Sequence, residues 1–147
     1  MGAHAWIYFV PYQEDIASAL EHLRMKEFLA GRYNPVQPIL GFPLTSDAPA
    51  RQPAHASIEA AIEAAESEGT RSILDMKRIG RRPQDGVLVP LSVERLLELF
   101  GTLEPTREMI ENSDGLFDEI DRGQGVYIIA YEGAEPSEIC FAGYSYD

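Results

Sequence analysis

Cysteine is almost missing from this chain: Cys140 is the one thiol in 147 residues. A lone cysteine excludes an internal disulfide, a CxxC redox pair and a multi-cysteine zinc site. Placed between Ile139 and Phe141, in a run with strand character, it reads as a small buried hydrophobe. Histidine is scarce too. His4, His22 and His55 make neither an HExxH pattern nor an i,i+4 pair, so the usual zinc-enzyme signatures are absent. No serine sits in a GxSxG elbow or an SxxK motif. Gly123-Gln124-Gly125 runs into a strand instead of opening a helix, which makes it a turn and not a phosphate loop. These absences leave no catalytic residue to name and no metal or cofactor to expect.

Positive charge is equally thin. Twelve Lys and Arg stand against 24 Asp and Glu, a formal charge of −12. Such a surplus repels phosphate backbones, and no basic stripe offsets it, so nucleic acid is not an expected partner. Long apolar runs are lacking as well. Ala5 to Val10 spans six residues, too short for a signal-peptide core or a membrane span, and no basic leader precedes it. Gly2 does not open a myristoylation signal, because position 6 is Trp6 where Ser or Thr is needed. The expectation is a cytoplasmic protein without a membrane partner.

What is present is globular in composition: 45% hydrophobic, 10% aromatic and 24% charged, at a length that suits one domain. Ala5-Trp6-Ile7-Tyr8-Phe9-Val10 reads as a strand ended by Pro11. Ile16, Ala19, Leu20 and Leu23 recur at helical spacing from Asp15, and Gly31 stops that helix. Five of the ten prolines then fall in residues 31–56, which predicts a long loop. Its first half, with Tyr33, Val36, Ile39, Leu40 and Phe42, is apolar enough to pack onto something, while Thr45 to Ala56 looks solvated.

Ser57 caps a second helix with Ile58, Ala61, Ile62 and Ala65 inward. Arg71 to Met76 reads as a second strand, followed by a basic turn of Lys77, Arg78, Arg81 and Arg82 and a short apolar piece, Val87 to Val89. The basic turn could receive an anion, although a solvated loop needs no such role. Ser92 caps a third helix with Val93, Leu96, Leu97 and Phe100 inward. Pro105-Thr106 opens a fourth, bent at Asp114-Gly115. Val126 to Tyr131 and Glu138 to Tyr144 form a terminal antiparallel hairpin. The whole reads as one α+β domain over 1–147: about four strands in a mixed sheet, amphipathic helices on one face, and the long Pro-rich loop.

Two constellations stand out. Residues 101–147 carry −9 of the −12, with two basic and eleven acidic residues. Within them, Glu104, Glu108, Glu111, Asp114, Asp118 and Asp121 surround a single cation, Arg107. Spacings of i, i+4, i+7 and i+14 would put Glu104, Glu108, Glu111 and Asp118 on one face of a continuous helix. A basic partner would relieve their mutual repulsion; the plain alternative is a solvated face that keeps the chain dissolved. A calcium loop centred on Gly115 fails, since its first position is Ile110 and its twelfth is Asp121 instead of a bidentate Glu.

The second constellation is aromatic. If strand registers agree, Trp6, Tyr8, Tyr127, Tyr131, Tyr144 and Tyr146 share one sheet face, opposite Ile7, Phe9, Val126, Ile128, Ile139 and Phe141. Such a face must be covered or bound.

Three functions follow as expectations. The first is a non-catalytic binding module, of inhibitor or immunity type, that meets a basic protein through its acidic C-terminal helical face. The second is a small enzyme or ligand-binding protein with a cleft between the aromatic face and the 31–56 loop, near Arg32 and Tyr33. The third is a self-associating module whose tyrosine face forms a homodimer.

Overall fold

Each helix begins where a side-chain oxygen can hold an otherwise unpaired first-turn N–H. Asp15 accepts from the Ser18 amide to open α1 (Ile16–Leu29), and Ser57 accepts from Ala60 to open α2 (Ile58–Ala65). Ser92 and Thr106 do the same for α3 (Val93–Phe100) and α4 (Arg107–Glu111). The strands are β1 (Ala5–Pro11), β2 (Arg78–Ile79), β3 (Val87–Pro90), β4 (Gly125–Glu132) and β5 (Glu135–Tyr144). This computed structural model describes residues 3–37 and 41–146.

The strands form one mixed sheet in the order β1-β5-β4-β3-β2. β1 pairs antiparallel with β5 and β5 with β4, while β4, β3 and β2 run parallel. The chain is thus a single α+β domain with a five-stranded sheet, one strand more than the composition of the runs suggests. Two unexpected strands replace the one expected at 71–76: Arg78–Ile79 from the basic turn and Val87–Pro90 from the short apolar piece, which lie side by side in parallel.

The strand expected at 71–76 is instead a buried 3-10 turn, Ile73–Asp75. Local side chains outcompete the sheet there. Asp75 turns back to accept from the Thr70 amide at 2.8 Å and hydroxyl at 2.9 Å, and Ser72 accepts from the Leu74 amide at 3.2 Å. Among the described residues, 31–56 contain no helix or strand, only turns and one bridge. Ile39 and Leu40, expected in its apolar half, lie outside the described residues.

Helices cover both faces of the sheet, not one. On the first face Trp6, Tyr8, Phe141 and Ile139 pack with Leu20, Leu23 and Phe28 of α1, Ala61 of α2 and the 73–76 turn. On the second, Cys140, Ala142, Ile128 and Ala130 pack with Ile110 of α4 and Leu116, and α3 adds Leu96, Leu99 and Phe100. α3 is therefore rotated from its expected seat: Leu96, Leu99 and Phe100 turn inward, while Val93 and Leu97 are 57% and 50% exposed.

Register decides the aromatic face. Tyr8 stands opposite Phe141, and Phe141 opposite Tyr127, so these share a face with Trp6. Cys140, Ala142 and Tyr144 fall on the other face, beside Ile7 and Phe9. The six aromatics expected together are divided. Trp6 also explains two glycines: a Cβ at Gly143 would stand 2.5 Å from the indole ring, and one at Gly125 2.8 Å from it. The ring reaches over β5 to β4 and occupies the side-chain space of both glycines.

Candidate functional site

The acidic residues are brought to one region but not onto one helix. α4 ends at Glu111, with Asn112 as its cap. Glu104 precedes it, Glu108 and Glu111 lie on it, and Asp114, Asp118 and Asp121 follow in turns. All six are exposed. The end of the helix at Glu111, ahead of the bend at Asp114-Gly115, interrupts the face that a continuous helix would have carried.

Arg95 and Arg107 border these carboxylates, and both are occupied. Arg95 of α3 pairs with Glu98 and, at 2.9 Å, with Glu119, and donates to the Gly115 carbonyl at 2.9 Å. Arg107 pairs with Glu111 at 3.4 Å and Glu138 at 2.8 Å and lies over the Phe9 ring, 4.3 Å from its centre. Burial pulls the Arg107 pKa down, but Glu138 and Glu111 outweigh it and hold the guanidinium above its ordinary value. Glu104, Glu108, Asp114, Asp118 and Asp121 form no ion pair among the described residues.

The aromatic candidates go to four different places. Trp6, Tyr8 and Tyr33 are fully buried in the core. Tyr33 stacks on Phe28, and its hydroxyl lies 2.9 Å from His55 Nδ1. Tyr127 is half-buried on the same face, whereas Tyr131 follows a bulge at the sheet end and donates its amide to the Pro105 carbonyl. Tyr144 meets Phe117 edge-on across the second face. Tyr146 lies past the last strand, against Gly123 and Gly69.

Arg32 leads to a feature that the sequence hides. It donates at 3.0 Å to Glu27, a carboxylate of α1 with no solvent exposure. Ser46 donates to the same oxygen at 3.0 Å, and Arg32 also reaches the Ala48 carbonyl at 2.7 Å. Two residues before Ser46, Leu44 exchanges backbone hydrogen bonds with Ala5 and Ile7, both 2.9 Å, bridging to Trp6. Residues 43–48 are thus a strap, fastened along the outer edge of β1 and tied to α1 from beneath. It covers an edge that would otherwise offer unpaired backbone to another chain. Nearby, burial raises the Tyr8 hydroxyl well above its usual range, and Glu27 and Asp75 add to the effect.

The strap forms one wall of a cleft of about 460 Å³. Its floor is the second sheet face at Ile7 and Phe9, and its far wall is α4 with the 113–117 turn. Phe9, Ile110 and Phe117 make the interior apolar, while Asp47, Arg107 and Glu111 stand on its lining as charged groups. The cleft lies under the long loop but on the sheet face of Ile7 and Phe9, away from Trp6; Tyr8, whose ring belongs to the opposite core, still contributes to the lining. Of the expected site residues it gathers Tyr8 and Glu111. Sequence reading missed Asp47, Phe9 and Arg107 here; the one available signal was Arg107 as the lone cation among acids.

Among the described residues, no group of three or more His, Cys, Asp or Glu is placed to hold a metal ion, and no helix is long and apolar enough to cross a membrane. Compared with protein-family models, curated proteins and solved structures, the chain matches none of them.

Proposed function

We propose that this protein is a non-catalytic cytoplasmic binding module that engages a basic protein through the acidic surface around α4. The observation that carries this reading is the state of the charges. Five exposed carboxylates, Glu104, Glu108, Asp114, Asp118 and Asp121, have no ion-pair partner among the described residues, and the neighbouring cations Arg95 and Arg107 are already paired. Exposed apolar side chains lie in the same stretch: Leu97, Leu103 and Met109 are 50%, 48% and 36% exposed. Acidic groups interspersed with apolar ones suit a partner that offers lysine or arginine around a hydrophobic centre. An inhibitor or immunity role fits this chemistry.

The test is charge reversal at Glu108, Asp114 and Asp118 together, with lysine at each position. A partner isolated with the native chain should bind the triple variant at least about tenfold more weakly, with a flatter dependence on salt. Unchanged affinity and salt dependence would overturn the reading. The variant should fold normally, because reversal relieves like-charge repulsion instead of removing a contact.

A further inference from the structure

The cleft between the strap and α4 has a chemistry that the acidic-surface reading does not use. Its volume, about 460 Å³, suits a small molecule, and it combines an apolar interior with few charged groups, as ligand pockets do. Its sides are built to stay put. The strap wall is held by Leu44 against β1 and by Ser46 on Glu27, and the opposite wall is seated by Ile110 and Leu116, both buried. A fully buried carboxylate is costly to keep unless it is paired, so Glu27 and Arg32 represent a substantial commitment to fixing that wall.

The charges select the ligand. Arg107 is the lining's cation, and Glu111 and Glu138 already answer it. Asp47 and Glu111 leave the lining with one more negative than positive group. An anionic ligand would meet this excess of carboxylates and an arginine that is already engaged. A strongly hydrated small cation would gain nothing from Phe9, Ile110 and Phe117. What matches both is a protonated amine attached to an aromatic or alkyl group, with the ring on the Phe9–Phe117 side and the nitrogen toward Asp47, a lining carboxylate with no ion pair among the described residues. We infer that this cleft binds a small hydrophobic ammonium compound, an aryl- or alkylamine.

The probe is 2-phenylethylamine, with 2-phenylethanol and 3-phenylpropionate as neutral and anionic counterparts, titrated into the full-length chain at neutral pH and fixed ionic strength. Amide chemical shifts report the site. The amine should give saturable shifts confined to residues 7–9, 45–47 and 107–117, and bind about three- to tenfold more tightly than the alcohol. Asp47→Asn, at an exposed position, should remove much of that preference and leave alcohol binding unchanged. A preference for the carboxylate overturns the inference, and so do amine shifts that spread over Glu104, Glu108 and Asp121 without saturating at the cleft. The lysine variant used to test the acidic surface leaves the lining intact and should still bind the amine, so the two ideas fail separately.

Discussion

Ser46 donates a 3.0 Å hydrogen bond to Glu27, joining the middle of a long proline-rich loop to a fully buried carboxylate on the first helix. Through that bond the edge of β1 acquires a cover and the cleft a fixed wall. Removing the Glu27 side chain leaves Arg32, itself 14% exposed, without its counter-charge. Glu27→Ala should therefore cost about 3–5 kcal/mol, the usual penalty for orphaning a buried charge. Ser46→Ala should cost less, about 1.5–3 kcal/mol, for one hydrogen bond to a charged acceptor. Urea denaturation of the two variants orders them; a larger loss for Ser46→Ala would contradict this account.

Asp75 makes stability depend on pH in an unusual direction. Burial raises its pKa more than the Thr70 hydrogen bonds lower it, and Oδ2 has no hydrogen-bond partner among the described residues. The folded chain thus holds the proton more tightly than the unfolded one. That contribution is complete below the ordinary carboxylate range and is lost as pH rises through the raised value. Asp75→Asn keeps an oxygen for Thr70 and has nothing to ionise. The stability of the native protein relative to this variant should fall with rising pH across that window, measured by denaturation at a series of pH values. A difference that stays level would remove Asp75 from the account.

Cys140 should be inert while the protein is folded. It is fully buried, and burial pushes its thiol far above the normal range, leaving almost no thiolate. A thiol-specific colorimetric reagent should register no group in native buffer and one group in denaturant. Prompt native labelling would show that the second face opens readily.

Gly143 is needed for the room its missing side chain leaves. An added Cβ would come within 2.5 Å of both the Trp6 ring and the Gln124 carbonyl. Gly143→Ala should destabilise by about 1–3 kcal/mol through overpacking and quench or shift the single tryptophan's fluorescence. Gly133→Ala, at a turn with nothing within 4 Å of the new Cβ, should cost only its positive φ, about 1–2 kcal/mol, and leave Trp6 unchanged. Equal spectral effects would separate the glycine from the ring.

By itself the sequence determined the local elements. Caps at Asp15, Ser57, Ser92 and Thr106, the apolar repeat of α1, and the β-rich runs at 5–10 and 126–144 are short-range signals, set by backbone groups and side chains within a few residues of one another. Tertiary structure decided everything that depends on which faces meet. The two residue sets of β5, Ile139 with Phe141 and Cys140 with Ala142, are all apolar, so alternation could not tell its faces apart; pairing with Tyr8 and Phe9 did. The 71–76 segment has strand composition, but Asp75 and Ser72 fold it onto itself. Glu27 occupies a helical position that a charged residue normally turns to water, and only Arg32 and Ser46, brought from the loop, make its burial tolerable. The acidic residues were legible as a group from charge alone, and Asp114-Gly115 marked a bend in the sequence itself; the cleft that takes Glu111 and Asp47 into one lining exists only because the chain closes on itself.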